Sequence, residues 1–248
     1  MTPRARLAVG WLLALAVAIA FAGAGRWQLG KMQQKQRMQA QAERALSAPR
    51  PQPLLLASDP LRVRDYDVAE GRGGLVDATL WLDNQLREGR AGVRMYCVLL
   101  PDEGVQALLL DAGWWPLDGT RALPRFGCPR SHGEVRGLLA PPPSVGLARG
   151  EAMAAVGDRR WLATRLDAPA IARALGLRTG IAPRVLRLDP ARRAGDAGVM
   201  LAPGQRDLDV LPNTLPPERH LGYAVQWFAL ALAVLVLAAV MTWRQRKR

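Results

Sequence analysis

The 248 residues contain two histidines, and they keep very different company. His220 opens the stretch His220-Leu221-Gly222-Tyr223-Ala224-Val225-Gln226-Trp227-Phe228. On a helix His220, Tyr223, Ala224 and Trp227 share one face, being spaced i, i+3, i+4 and i+7. An imidazole flanked by aromatic rings, just before a long apolar run, can ligate the iron or hydrogen-bond the propionates of a lipophilic haem. The other reading of the same spacing is a histidine that caps the helix or meets lipid headgroups, and spacing leaves both open. His132, in Pro129-Arg130-Ser131-His132-Gly133, reads as a solvated turn residue.

Two side-chain amides lie near the same place. Gln226 falls in the first turns of the apolar run, and Gln28 follows an earlier one, beside Trp27. An amide in hydrocarbon is costly unless hydrogen-bonded, and such bonds hold spans together by about 1 kcal/mol each. The expectation is that Gln28 and Gln226 face each other or share a ligand, with Trp27 packed beside them. Other chemistries find no footing. There is no GxSxG, HExxH or SxxK beside a matching base, and no P-loop or dinucleotide fingerprint. Asp102-Glu103 reads as a solvated hairpin turn.

The elements that would position these residues are membrane spans. Tyr223 to Trp243 is 21 residues without a formal charge, enough as a helix to cross a hydrocarbon core of about 30 Å. Leu7 to Gly25 is a second uncharged run, of 19 residues, read as a retained span rather than a cleaved signal because a helical pattern continues past it. Four Lys/Arg follow Trp243 within five residues, whereas only Arg206 and Arg219 fall in the twenty before Tyr223, so the C-terminus is expected in the cytoplasm. The first span votes weakly the other way, with Arg26, Lys31, Lys35, Arg37 and Arg44 after it against Arg4 and Arg6 before it, but the asymmetry at the last span is steeper. Two spans then place both termini in the cytoplasm, with Trp27, Tyr223 and Trp227 in the outer aromatic belt. The segments are 1–6, a cytoplasmic N-terminus; 7–25, the first span; 26–48, a polar helical extension; 49–217, a β-rich domain outside; 218–243, the second span with its cap; and 244–248, a basic tail.

The net charge of +13 and pI of about 11.2 come with no dense basic stripe interleaved with aromatics, so nucleic acid is a poor partner and anionic lipid a better one. In the middle, Val76–Leu82, Val93–Leu100, Ala107–Ala112, Glu134–Leu139 and Arg184–Leu188 read as strands between Gly/Pro/Asp/Asn turns, forming an antiparallel sheet or small open barrel. Asp83-Asn84 ends the first of them, and Gly89 and Gly92 mark the next turn. Asp167 is a candidate N-cap for a helix over Ala168–Leu175. Residues 189–217 read as an irregular connector. Cys97 and Cys128 are 31 positions apart, and a disulfide or two small core residues are equally open. The fold class is therefore a membrane protein of α+β type: two transmembrane helices, one at each end, flank a β-rich extracytoplasmic domain with one or two short helices.

Four stretches resemble the surfeit locus protein one (Shy-one) family. Gly25-Arg26-Trp27-Gln28-Leu29-Gly30-Lys31 with Lys35 is similar to that family's Gly-x-Trp-Gln-Leu-x-Arg-x-x-x-Lys. Leu82-Asp83-Asn84-Gln85 with Gly89 and Gly92 resembles its Asp-Asn-Arg hairpin. Asp111-Ala112-Gly113-Trp114-Trp115-Pro116 resembles its Asn-Arg-Gly-Trp-Val-Pro. His220 to Phe228 resembles its closing His-x-x-Tyr-Ala-x-Gln-Trp. Gln85 and Ala112 stand where the family has arginines, so any propionate or carboxylate contact those arginines make is missing here.

The resemblance implies a non-enzymatic cytochrome c oxidase assembly factor. It would help place haem a in oxidase subunit I, with haem a synthase as a further partner, or serve as a scaffold for oxidase subunits that does not bind haem. It implies His220 as the haem residue and, by metal, the ligand to haem iron. Tyr223, Trp227, Gln226, Trp27 and Gln28 are expected around it. It also implies a bacterial inner membrane, with the central domain periplasmic; the Ala/Arg/Gly-rich composition and lack of a transit peptide favour a bacterium over a mitochondrion.

Overall fold

A computed structural model describes residues 2–47, 49–104, 106–145, 150–191, 204–211 and 215–247. The chain divides into two compact units, 1–39 with 214–248, and 40–213. Of the connector expected at 189–217, residues 192–203 and 212–214 lie outside the described residues.

The first unit is a pair of helices. Helix α1 runs Pro3–Ser47 without a break, and α3 runs Pro217–Arg246. Both are long and apolar enough to cross a membrane. Neither apolar run holds a proline to interrupt the backbone bonding that hydrocarbon requires. The polar extension after Gly25 continues α1 because Gln, Lys, Met, Arg and Ala are good helix formers.

The second unit is β-rich. Its strands are β1 (Gln52–Pro53), β2 (Asp67–Arg87), β3 (Arg90–Pro101), β4 (Ala107–Pro116), β5 (Ser131–Ala140), β6 (Met153–Gly157), β7 (Arg160–Ala163) and β8 (Ile181–Leu188). The pairings β2–β3, β3–β4, β4–β8, β8–β5 and β5–β2 close a ring of five strands. Gly73 to Leu75 of β2 pair with both β3 and β5. Gly73 is needed there, since a Cβ would lie 2.6 Å from the Leu100 carbonyl oxygen. Past a register shift between Leu75 and Thr79, β2 pairs with β7 instead of β5. The second half of β2 thus carries the ribbon of β6 and β7.

The sheet is mixed rather than antiparallel: β4–β8, β2–β7 and β1–β2 are parallel. Nor does the first strand end at Asp83-Asn84. Asn84 takes a left-handed φ of 55° at a bulge, and the strand continues to a two-residue turn at Glu88-Gly89, whose φ values of 52° and 75° suit the primed turns that match strand twist. Gly92 lies within β3, not in the turn. Strands β6 and β7 had no counterpart in the sequence reading; their turn is at Asp158-Arg159, with Arg159 at φ 51°.

Two apolar layers result. Val93, Met95, Cys97 and Leu99 of β3 face the ring interior with Trp81, Leu108, Leu110 and Leu186. Tyr96 and Val98 face outward with Leu80, Leu109 and Val185, covered by α2 (Ala168–Leu175) through Ile171. Helix α2 starts and stops as its ends dictate: Asp167 accepts from Ala170 N, and Gly176 takes the left-handed C-terminal position at φ 63°.

Cys97 and Cys128 form a disulfide with Cα atoms 5.7 Å apart. Both are buried, and Cys128 N donates to Thr79 Oγ1, so the bond ties the segment after β4 to β2 and β3. A loop of 31 residues is constrained in the unfolded chain by about 3–4 kcal/mol. A Cys97→Ala/Cys128→Ala variant should lose about that much in urea unfolding of the full-length protein, and reductant should then have no further effect on its midpoint.

Outside the apolar layers, charge is buried against a strap. Arg94 of β3 donates to Asp111 of β4 and to Asp207, both at 2.8 Å. Arg187 of β8 reaches Asp207 at 2.7 Å and lies 3.6 Å from Asp111. Arg87 also reaches Asp207, at 2.8 Å. Burial works against the charge of Arg94, but Asp111, the Tyr96 hydroxyl and Asp207 outweigh it and hold its pKa above the usual guanidinium value. Segment 204–211 is laid over the sheet by these ions and by the bridge between Trp114 and Gln205.

Candidate functional site

In the helix pair, α1 and α3 run antiparallel, and the first turn of α3 meets α1 at Gln28. His220 Nδ1 lies 2.7 Å from Gln28 Oε1. A carbonyl oxygen accepts only, so Nδ1 carries the proton and donates, and Nε2 is left with its lone pair. His220 is 8% exposed, and its Nε2 is buried with no hydrogen-bond partner among the described residues. The two ring nitrogens thus differ: Nδ1 is fixed by an oxygen acceptor, and Nε2 keeps its acceptor capacity unused.

Small residues let the helices approach. Gly25 is buried, and a Cβ there would sit 2.9 Å from the Phe228 ring. Ala224 and Ala231 of α3 and Ala18 of α1 are the other buried apolar positions in the pair's spanning stretches. Close packing of this kind replaces the hydrophobic driving force that lipid removes. Trp227 is partly buried and its ring lies 5.6 Å from that of Phe21, tilted 37°. Below the pair's polar end, Lys35 Nζ donates to the Leu215 carbonyl, which anchors the start of α3 to the extension of α1.

The structure therefore brings some of the expected residues together and separates others. His220 and Gln28 are in direct contact, and Trp227 lies farther down the same face of α3. Gln226 does not meet Gln28; its side chain is exposed on another face. Trp27 is 59% exposed and Tyr223 39% exposed. Phe21 and Gly25 were not picked out as site residues; a small residue four positions from an aromatic at the end of the span was the available signal. His132 is not a bare turn residue: it is the second residue of β5, and its Nε2 lies 2.8 Å from Asp102 Oδ1 at the surface.

The other two motif stretches serve the sheet. Trp114 Nε1 donates to the Gln85 carbonyl at 2.8 Å, Gln85 Nε2 donates to the Asp83 carbonyl, and Ala112 is fully buried in the ring interior. Among the described residues there is no group of three or more His, Cys, Asp or Glu that could hold a metal ion.

A Gly25→Leu variant should force the Phe228 ring or the helices apart and open His220. In a His132→Gln background, diethylpyrocarbonate should then modify His220 several-fold faster than in the parent. Gly23→Leu is the control, since a Cβ at Gly23 meets nothing within 4 Å, and it should leave the rate unchanged.

The model of the SURF1 family matches this chain over residues 15–232. No curated protein matches it.

Proposed function

Because this chain belongs to the SURF1 family, a family of cytochrome c oxidase assembly factors, we propose that it assists placement of haem a in oxidase subunit I, and that His220 is the residue that engages the haem. The observation that carries this reading is the buried, unpartnered Nε2 of His220 opposite a bonded Nδ1.

Haem a, when bound, would supply an iron that the His220 imidazole could hold through Nε2. The chain's own part is to present that nitrogen. Gln28 holds the Nδ1 proton and so fixes the tautomer and ring orientation. The Gly25 contact keeps the two helices close enough for Gln28 to reach, while Phe21 and Trp227 furnish an aromatic wall one turn and more below. Tyr223 and Gln226, on exposed faces of α3, and Trp27 on α1 are left to contact a partner or lipid at the interface.

The basic end after Trp243 supports termini in the cytoplasm of a bacterial inner membrane. The disulfide supports an oxidising compartment, the periplasm, for the β-rich unit. Haem a synthase is the expected donor and subunit I the expected acceptor.

The test is deletion of the gene followed by reduced-minus-oxidised spectra of membranes, with the full-length chain supplied back. Loss of the haem a band, restored by the parent chain, is expected. An unchanged band in the deletion strain would remove the assembly role. The exposure of Trp27 and Tyr223 also suits a scaffold that grips oxidase subunits without haem. That reading requires the deletion phenotype together with a purified protein that carries no Soret band when co-expressed with the haem a pathway.

A further inference from the structure

The opposite end of the helix pair holds a second feature, remote from His220. A cleft of about 330 Å³ opens between the start of α1 and the end of α3, with Gly10, Ala14, Leu237 and Met241 among its apolar walls. Its volume is in the range of small-molecule sites, about 300–1,000 Å³. Arg6 and Gln245 line it and, the helices being antiparallel, stand together at its outer end. Its deepest α3 residue, Val234, is 14 positions from His220, about 21 Å along the helix.

The walls are apolar for a structural reason. Trp11 Nε1 donates to Thr242 Oγ1 at 3.0 Å, and Thr242 Oγ1 donates to the Ala238 carbonyl at 2.8 Å, so these polar atoms satisfy one another. The cleft is open at Gly10, where a Cβ would meet nothing within 4 Å. The charge is one-sided. Residues 1–25 and 221–248 contain Arg4, Arg6, Arg244, Arg246, Lys247 and Arg248 and no aspartate or glutamate.

We propose that this cleft binds one anionic phospholipid, an acyl chain lying along the Gly10 and Leu237 walls and the phosphate meeting the Arg6 guanidinium and the Gln245 amide. A chain with a single anionic head matches both halves of the site, whereas an apolar helix from a partner would leave the Arg6 end without a counter-charge. Bound lipid would fill the gap between the helices at the end away from His220 and so keep the pair together where no Gly25-type contact exists.

Native mass spectrometry of the full-length protein in detergent tests this, with palmitoyl-oleoyl phosphatidylglycerol and the matching phosphatidylcholine as probes. One phosphatidylglycerol should be retained, favoured about fivefold over phosphatidylcholine. Arg6→Gln should abolish the preference but keep weak binding of both. Gly10→Leu and Ala14→Leu, which fill the cleft from two positions, should each remove the retained lipid, with circular dichroism showing unchanged helix content and the tryptophan fluorescence maximum unchanged, as the Trp11 hydrogen bond to Thr242 across the pair requires. Equal retention of the two lipids by the parent protein overturns the assignment. So does phosphatidylglycerol binding that survives both filling variants, because the basic tail then explains it. Absence of any retained lipid, as a cleft reserved for a partner's transmembrane helix would give, overturns it too.

Discussion

A His220→Ala chain purified from cells that make haem a should lack the Soret band that the parent carries, and should fail to restore the membrane haem a band in a deletion strain. The expectation follows from one nitrogen. His220 Nε2 is buried, faces no protein partner among the described residues, and is held as a lone-pair donor because Nδ1 is committed to Gln28. Alanine removes the only such atom in the helix pair, since His132 belongs to the sheet unit.

Gln28→Leu is the companion measurement. It leaves the imidazole but releases its tautomer and orientation, a change that typically costs 10–100-fold in metal affinity. Haem should therefore remain detectable but wash out at correspondingly lower concentrations of competing imidazole. If His220→Ala keeps the parent's band, His220 is not the ligand. If Gln28→Leu behaves as the parent, the bonded Nδ1 has no bearing on binding.

The largest expected effect on stability comes from Asp111→Ala. Asp111 is 4% exposed and is shared by Arg94 and Arg187, themselves 4% and 6% exposed. Its other oxygen accepts from Gly113 N. Removing it leaves two buried guanidiniums to a single carboxylate, Asp207, which Arg87 also uses. An uncompensated buried charge costs about 3–5 kcal/mol, a large share of a typical domain's stability. Urea unfolding followed by tryptophan fluorescence should show a midpoint lowered to match. Glu70→Ala is the contrast: Glu70 pairs with Arg136 at 3.3 Å with its side chain 49% exposed, and exposed pairs are worth at most about 1 kcal/mol. Comparable losses in the two variants would mean that the buried ions add nothing beyond surface pairing.

What could be read from the sequence was what is determined locally. Uncharged runs give the spans by length alone. Asp167 and Gly176 fix both ends of α2, because a capping carboxylate and a left-handed glycine act within one turn. The strand cores were legible as short runs between Gly/Pro/Asp/Asn turns, but their ends were not. Asp83-Asn84 looks like a turn and is a bulge, since continued pairing to β3 outweighs the local preference of asparagine for positive φ. Strands β6 and β7 are short and half exposed, and give little periodicity to read.

The helix-pair contact was half legible. Trp227 follows His220 by seven positions and stays on its face, but Gln226 follows by six and falls about 240° around the helix, so it cannot join Gln28 when His220 does. Asp207 was invisible as a partner. It lies 113 positions from Arg94 in a stretch with no secondary structure to announce it, and only the closed ring puts the two side by side.

The 21-residue length of β2 has a consequence for how the chain emerges during synthesis and export. Its neighbour β3 follows at once, so a hairpin can seed as soon as residue 101 is out. The partners for its other edge arrive later, β5 at residues 131–140 and β7 at 160–163. Until then that edge stands open and able to recruit any strand nearby.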